Sequence, residues 1–217
     1  AYDLLEDRGQ DIRHLPYTDR RTRLEGYFKD LPPDAPLVLS EWIDFDDWNT
    51  LATIREGSRD KNAEGLMLKR ADAPYLAGRK KGDWWKWKVD PLVIDAVMIY
   101  AQSGHGRRAN LFTDFTFAVW NGPDLVPFTK AYSGLTDKEF REITAWVKKN
   151  TRARFGPVRQ VTPHHVFEIA FEGIQASSRH KSGVALRFPR MSRWRVDKPK
   201  EEANTLDDLL GMLEVHG

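Results

Sequence analysis

Three strand-like segments follow one another between residues 93 and 134, and each of them ends at a glycine turn. They read VIDAVMIYAQSG (93–104), LFTDFTFAVWNG (111–122) and LVPFTKAYSG (125–134). Apolar segments separated by turn residues at short intervals are typical of an antiparallel meander. This part of the chain is therefore predicted to form a β-sheet in which consecutive strands are neighbours.

A helix and further strands follow the meander. Thr136 and Glu139 have the spacing of a capping box, and the apolar spacing after them predicts a helix through about residue 152. The segments HHVFEIAFEGIQ (164–175) and VALRFP (184–189) are predicted to be strands. About five strands with one helix near the middle fit an OB-fold, a small barrel that often binds nucleic acids.

The first 90 residues are predicted to contain both helices and strands. Their apolar spacing predicts helices over residues 18–31 and 46–60. Three short apolar segments are predicted to be strands, namely LVLSEWI (37–43), EGLMLKR (64–70) and WWKWKV (84–89).

The predicted secondary structure changes from mixed helices and strands to a strand meander at Asp90-Pro91. Proline restricts the preceding residue to extended geometry there. We therefore expect two domains, residues 1–90 and residues 91–217, with a C-terminal helix at the end of the second. The expected fold class is α+β.

Composition excludes several kinds of site. The chain has no cysteine, so it has no disulfide, no zinc–thiolate site and no cysteine nucleophile. No apolar run approaches the ~18 residues that a membrane span needs, so no membrane partner is expected. The absence of cysteine fits a reducing compartment, and we expect the protein to be cytoplasmic.

Positive charge is concentrated in two segments. Residues 79–88 contain five Lys or Arg and one acid, and residues 179–198 contain seven Lys or Arg and one acid. Clustered positive charge is typical of a site for a polyanion, although a solvated basic face is the simpler interpretation of either segment alone. The residue pattern inside both segments favours the polyanion site.

Four motifs occur in a characteristic order: YDLL (2–5), EGLMLKR (64–70), WWKWK (84–88) and RFPRMSRWRVDK (187–198). They resemble motifs III, IV, V and VI of the ATP-dependent DNA ligases, which are covalent nucleotidyltransferases like the RNA-capping enzymes. Other stretches resemble a bacterial branch of those ligases. Each motif alone is weak, whereas four in order are specific.

The resemblance implies both a fold and an activity. The fold is the C-terminal half of an adenylation domain over residues 1–90, followed by an OB-fold over residues 91–217. In such ligases a lysine takes AMP from ATP, the AMP moves to the 5′-phosphate of nicked duplex DNA, and the 3′-hydroxyl then displaces it. Mg²⁺ or Mn²⁺ is the implied metal.

Lys86 and Lys88 are two residues apart on a predicted strand, so both side chains point to one face. Two ammonium groups there can neutralise one phosphate in a phosphoryl-transfer transition state. The resemblance assigns both lysines to the α-phosphate of the nucleotide. An edge strand protected from aggregation by lysines is the alternative.

The resemblance gives roles to four other residues of the first domain. Tyr2 matches an aromatic residue that stacks on adenine, with an ordinary core aromatic as the alternative. Lys69 matches a lysine near the nucleotide. Lys80 is a weaker candidate for the same pocket. Glu64 matches a glutamate that holds the metal, although a surface position is the commonest fate of a glutamate.

Motif VI ends in R-x-R-x-D-K, at Arg193, Arg195, Asp197 and Lys198. The resemblance implies that Arg195, Asp197 and Lys198 orient the leaving pyrophosphate, and guanidinium groups suit that task because they bind phosphate oxygens in pairs. The alternative is a basic strand end that contacts only the DNA backbone. The residues predicted to bind DNA are Arg179, Lys181, Arg190 and Arg193.

The K-x-D-G motif, which carries the nucleophilic lysine in these ligases, does not occur in the 217 residues. We therefore expect the chain to hold half of an active site and to lack the N-terminal half of the adenylation domain. Two other functions remain open. One is an RNA ligase or capping-type nucleotidyltransferase, and the other is a non-catalytic OB-type module that binds nucleic acid.

Overall fold

The computed structural model describes residues 1–217, which divide into two compact units, Ala1–Val89 and Asp90–Gly217. The division falls beside the Asp90-Pro91 dipeptide. No helix in either unit has both the length and the apolar character that crossing a membrane requires.

The first unit contains two helices and two small antiparallel hairpins. Its elements are β1 (Glu6–Asp7), β2 (Gln10–Asp11), α1 (Tyr17–Lys29), α2 (Trp48–Glu56), β3 (Gly65–Lys69) and β4 (Trp84–Lys88). Helix α2 begins where the Asp47 side chain accepts a hydrogen bond of 2.8 Å from the backbone N–H of Thr50. The predicted strands at 64–70 and 84–89 are confirmed, and they pair with each other.

The predicted strand at residues 37–43 is wrong. The segment has no regular structure, and Val38 is 81% exposed. Its backbone bonds include one from the N–H of Leu37 to the carbonyl of Ala35 and one from the N–H of Ser40 to the carbonyl of Ala1. No neighbouring strand pairs with the segment, so its apolar residues do not produce a strand by themselves.

A buried ion pair joins the first residues of the chain to α1. The Arg20 guanidinium donates to both carboxylate oxygens of Asp3, at 2.8 and 3.0 Å, and neither side chain is more than 2% exposed. Arg20 also donates to the backbone carbonyls of Leu15 and Ala73. Every polar group of the pair therefore has a partner, as burial of two charges requires.

The second unit is a curled sheet with two helices. Its elements are β5 (Leu92–Ser103), β6 (Phe112–Asn121), β7 (Asp124–Ala131), α3 (Asp137–Lys149), β8 (Thr151–Phe155), β9 (Val158–Val161), β10 (Val166–Phe171), β11 (Gly173–Ala176), β12 (Val184–Arg187), β13 (Arg190–Arg195) and α4 (Leu206–His216). The main sheet has the order β13-β10-β5-β6-β7, and β9 pairs with both β5 and β8.

The meander β5-β6-β7 and the helix after it confirm the predicted OB-fold. Strand β5 lies at the centre of the sheet and is antiparallel to β6, β9 and β10. The core beneath it combines aliphatic residues with phenylalanines, of which Phe115, Phe117, Phe140 and Phe167 are almost fully buried. Helix α3 begins with the capping box expected from Thr136 and Glu139.

Two details of the second unit differ from the expectation. Helix α3 ends at Lys149 rather than near residue 152, because the chain turns there into the β8–β9 hairpin. The segment 164–175 divides into β10 and β11, which belong to different sheets. Short arginine-containing strands such as β8 and β9 have too few apolar residues to show a clear period of two.

Candidate functional site

The β3–β4 hairpin places three lysines on one face of the first unit. Lys69 lies opposite Trp84, Met67 lies opposite Lys86, and Gly65 lies opposite Lys88. Residues directly opposite each other across an antiparallel pair share a face, and so do residues two apart on one strand. Lys69, Lys86 and Lys88 therefore follow one another along the same side of the hairpin.

The backbone at Gly65 brings Glu64 beside Lys88. Gly65 has a φ of +141°, and a Cβ there would lie 2.3 Å from the backbone oxygen of Trp87, so only glycine fits. The Lys88 ammonium lies 2.8 Å from the Glu64 carboxylate. The two predicted site residues are thus direct partners at the start of β3.

A cleft of about 850 Å³ lies beside this hairpin. Its walls are mainly aromatic and aliphatic, and its lining includes Tyr2, Tyr17, Trp42, Trp48, Lys69 and Trp84. Its dimensions and apolar lining are those of small-ligand sites in general. Two predicted nucleotide residues, Tyr2 and Lys69, therefore meet at one cleft.

Lys69 is surrounded by aromatic rings. Its ammonium lies 4.4 Å from the ring centroids of Tyr17 and Trp84 and 5.0 Å from that of Tyr2. It donates at 3.2 Å to the backbone oxygen of Tyr2 and to the hydroxyl of Tyr17. Burial lowers the pKa of Lys69. An anion in the cleft would restore the electrostatic stabilisation that burial removes.

Tyr2 is 53% exposed and meets Trp84 edge to face, with ring centroids 6.2 Å apart. A core aromatic would be enclosed on all sides, whereas this ring keeps free surface at the cleft. A ring of this kind can stack on a planar heterocycle.

Arg21 is a cleft residue that the sequence interpretation missed. It is 6% exposed, lies 2.6 Å from Glu25, and donates to the Ser40 backbone oxygen at 2.9 Å. Its guanidinium also lies over the ring of Trp42, which itself stacks on Tyr17. The available signal was the Arg20-Arg21 dipeptide on the first turns of an otherwise apolar helix face.

Not every predicted residue of the first unit reaches the cleft. Lys80 lies in the exposed loop between β3 and β4, away from the cleft lining. Lys86 and Lys88 are exposed on β4 and also do not form part of the lining. The roles of these three lysines remain predictions.

Motif VI forms β13 and the turn after it. The turn is closed by a hydrogen bond from the N–H of Lys198 to the carbonyl of Arg195. The Arg195 guanidinium and the Lys198 ammonium each lie 2.7 Å from the same oxygen, Oδ2 of Asp95 on β5. Asp95 is 8% exposed and was missed by the sequence interpretation, because an isolated acid in an apolar strand does not reveal a partner 100 residues away.

Asp197 completes this cluster from the exposed side. Its carboxylate accepts from Nε and Nη2 of Arg195 at 2.9–3.3 Å. The hydrogen bonds from Arg195 lower the pKa of Asp197 to about 2, and the hydrogen bonds to Asp197 raise the pKa of Arg195 further above its ordinary value. Both groups are therefore charged over the physiological pH range.

The four residues predicted to bind DNA lie in two places. Arg179 and Lys181 are exposed in the loop between β11 and β12. Arg190 and Arg193 are on β13, where Arg190 lies 2.9 Å from Glu172 and Arg193 is exposed opposite Glu168. Arg193 and Arg195, two apart on β13, point to the same face.

His165 packs between two tryptophans, Trp146 at 4.3 Å and Trp194 at 5.0 Å between ring centroids. Burial lowers its pKa from 6.5 to about 4. Between these two values the unfolded chain binds more protons, so stability should fall as the pH drops from about 6.5 to 4. The full pKa difference corresponds to roughly 3 kcal/mol, and because His165 is only partly buried we expect a smaller loss, on the order of 1–2 kcal/mol. Urea unfolding at several pH values measures this loss.

His165→Phe should remove this pH dependence, whereas His164→Gln, at the exposed neighbour, should keep it. If wild type and His165→Phe lose the same amount of stability at low pH, His165 is not the cause of the loss. No three or more His, Cys, Asp or Glu side chains lie together in an arrangement that could hold a metal ion.

Comparison with known proteins gives the family. The ATP dependent DNA ligase domain matches residues 1–88, and the ATP dependent DNA ligase C terminal region matches residues 108–198. A probable DNA ligase of Koribacter versatilis is 35% identical over 227 residues, covering 95% of this chain and 39% of that protein. A DNA ligase of Natronomonas pharaonis is 34% identical over 207 residues, covering 95% of this chain and 36% of that protein.

The fold is similar to that of a solved structure from a structure-function analysis of Lig E DNA ligases, which concerns DNA binding with a minimal scaffold. That structure superposes with a TM-score of 0.63 at 20% identity, covering 90% of this chain and 62% of that chain. The chain spans less than two-fifths of the length of the two curated relatives named above. It combines the C-terminal half of an adenylation domain with an OB-fold, and it belongs to the ATP-dependent DNA ligase family.

Proposed function

We propose that the protein carrying this chain is an ATP-dependent DNA ligase that seals nicks in duplex DNA. The observation that carries the proposal is the β3–β4 hairpin of a ligase-family chain, with Lys69, Lys86 and Lys88 along one face and an aromatic cleft beside it. A row of cations next to an apolar cleft suits a nucleotide, whose base is planar and whose phosphates are anionic. Both DNA and ATP are available in the cytoplasm, the compartment we propose.

The first unit would bind the nucleotide. Tyr2 would stack on the adenine, and Lys69 would contact the nucleotide from within the cleft. Lys86 and Lys88 would neutralise the α-phosphate, where charge develops during each transfer. Lys80 would be a secondary contact.

The second unit would handle pyrophosphate and DNA. Arg195, Asp197 and Lys198 would orient the leaving pyrophosphate, because a fixed guanidinium and an ammonium side by side can bind adjacent phosphate oxygens. Arg179, Lys181, Arg190 and Arg193 would contact the DNA backbone, and such contacts weaken with salt.

The residues present fit a divalent metal that binds through one protein carboxylate and the substrate phosphates. Mg²⁺ commonly binds through one or two carboxylates, several waters and substrate phosphates, so it does not need a cage of protein ligands. Glu64 is the carboxylate that would hold Mg²⁺ or Mn²⁺, and its partner Lys88 lies 2.8 Å away. The ion would supply further positive charge at the phosphates.

A direct test compares two nicked substrates. The intact protein with ATP and Mg²⁺ should seal nicked duplex DNA at least about tenfold faster than nicked duplex RNA, because the family matches are to DNA ligases. Faster sealing of the RNA would favour the RNA ligase alternative. Tight binding to nicked DNA with no AMP transfer at all would favour a non-catalytic OB-type module.

The 217 residues alone should form no covalent lysine–AMP adduct. The reason is chemical: the K-x-D-G motif is absent from them, and an activated lysine must lie in the nucleotide pocket for AMP transfer. Incubation with α-labelled ATP and Mg²⁺, followed by a denaturing gel, measures the adduct. A stoichiometric labelled band at the mass of this chain would overturn the expectation and identify a different nucleophile.

A further inference from the structure

We propose that Asp95 is a positioning residue that holds Arg195 and Lys198 together as one site for the pyrophosphate part of ATP. The inference rests on the proposed function and assigns the step that the Asp95 cluster serves. Asp95 lies on β5, in a different part of the sequence from motif VI, and it would act through Arg195 and Lys198.

The geometry brings two like charges close together. Arg195 Nη1 and Lys198 Nζ each lie 2.7 Å from Oδ2 of Asp95, so the two nitrogens are at most about 5.4 Å apart. Two cations at that separation repel each other, and an anion between them offsets the repulsion by attracting both. Asp95 supplies that anion from beneath, and the pair is thereby spaced to bind neighbouring oxygens of one polyphosphate.

The Asp95 backbone is fixed on both sides. Its N–H donates to the Asn204 side chain at 2.9 Å, and its carbonyl accepts from the Asn204 N–H at 3.0 Å. The Asn204 amide in turn donates to Asp208, at the capping box of α4. Asp95 also pairs across the sheet with Glu168 of β10. A carboxylate on such a support can hold its partners in one place.

Both cations keep capacity for a ligand. The side chains of Arg195 and Lys198 are 17% and 21% exposed. Arg195 uses one N–H on Asp95 and its Nε and Nη2 on Asp197, so two of its five N–H groups remain. Lys198 has two N–H groups left after its bond to Asp95. A phosphate can therefore bind without breaking the pair.

A purely structural role for the ion pairs of Asp95 would have a different effect on the reaction rates. If Asp95 only stabilised the sheet, its loss would slow every reaction of the protein to a similar extent. If it positions the cations for pyrophosphate, its loss should slow only the reaction with ATP and the reverse reaction with pyrophosphate, which pass through the same transition state. The two roles are therefore distinguished by comparing how much the loss of Asp95 slows each step.

The test uses the intact protein and Asp95→Asn, which keeps the shape and removes the charge. Three rates are measured: formation of the protein–AMP adduct at varied ATP concentration, its reversal by added pyrophosphate, and sealing of pre-adenylylated nicked DNA. Adduct formation and reversal should fall by the same factor, roughly tenfold or more, and sealing should stay within about twofold. Asp124→Asn, at the exposed β6–β7 turn, is the matched control and should leave all three rates unchanged.

Equal slowing of all three rates, or no slowing of any, would overturn the proposal. If wild type forms no AMP adduct, the proposed function fails instead. Thermal unfolding monitors folding. Should Asp95→Asn not fold, Asp95→Glu retains the charge but displaces it by one methylene, and it should slow adduct formation while sparing sealing. Wild-type adduct formation in a folded Asp95→Glu would then contradict the inference.

Discussion

Lys86→Ala and Arg195→Ala should stop the intact protein at different steps. Lys86 is proposed to contact the α-phosphate, which is present in ATP, in the protein–AMP adduct and in adenylylated DNA. Its loss should therefore slow every step by roughly 10²–10³. Arg195 is proposed to act while pyrophosphate leaves, so its loss should slow the reaction with ATP by a similar factor and leave adenylylated DNA almost fully reactive.

Single-turnover sealing measures this difference, with ATP and nicked DNA in one reaction and pre-adenylylated nicked DNA without ATP in the other. Lys81→Ala, in the exposed loop before β4, controls for the loss of one positive charge. Arg193→Ala, two residues before Arg195, controls for DNA backbone binding. Equal slowing of Arg195→Ala on both substrates, together with a weaker salt dependence, would show that Arg195 only binds the DNA backbone.

Arg20→Met should destabilise the chain by about 3–5 kcal/mol, because it leaves the carboxylate of Asp3 buried without its charged partner. Urea unfolding measures the loss. Arg23→Met is the matched control on the same helix: its ion pair with Asp7 is partly exposed, so a much smaller loss is expected. Adding Asp3→Leu to Arg20→Met should recover part of the stability, since no buried charge then remains unpaired.

A loss from Arg20→Met no larger than that from Arg23→Met would contradict the buried-pair account. A double variant less stable than Arg20→Met alone would show that Asp3 has another essential partner. Both outcomes are read from the same unfolding curves.

The elements that the sequence predicted correctly have strong local signals. Strands β5, β6 and β7 have long apolar segments with glycine turns, and α3 has a capping box formed by the residue before it, Thr136, and Glu139. The β3–β4 hairpin combined apolar periodicity with a recognisable motif on each strand. In these places local propensity and tertiary structure agree.

The features that the sequence did not predict depend on contacts between distant residues. Residues 37–43 have the composition of a strand but no strand to pair with, and residues 40–43 form part of the cleft wall instead. Asp95 is a charged residue within an apolar strand, whereas Arg20 lies in the charged first half of α1. Their partners lie 100 and 17 residues away, so neither pair could be identified from periodicity or local spacing.

Transfer of labelled AMP tests the central claim most directly. The intact protein is mixed with α-labelled ATP, nicked duplex DNA and Mg²⁺, and the label is followed on denaturing gels over time. The label should appear first on the protein, then on the 5′ end at the nick, and finally in free AMP as the sealed strand appears. Binding of the nicked DNA with no label on either the protein or the DNA would contradict the assignment of a ligase.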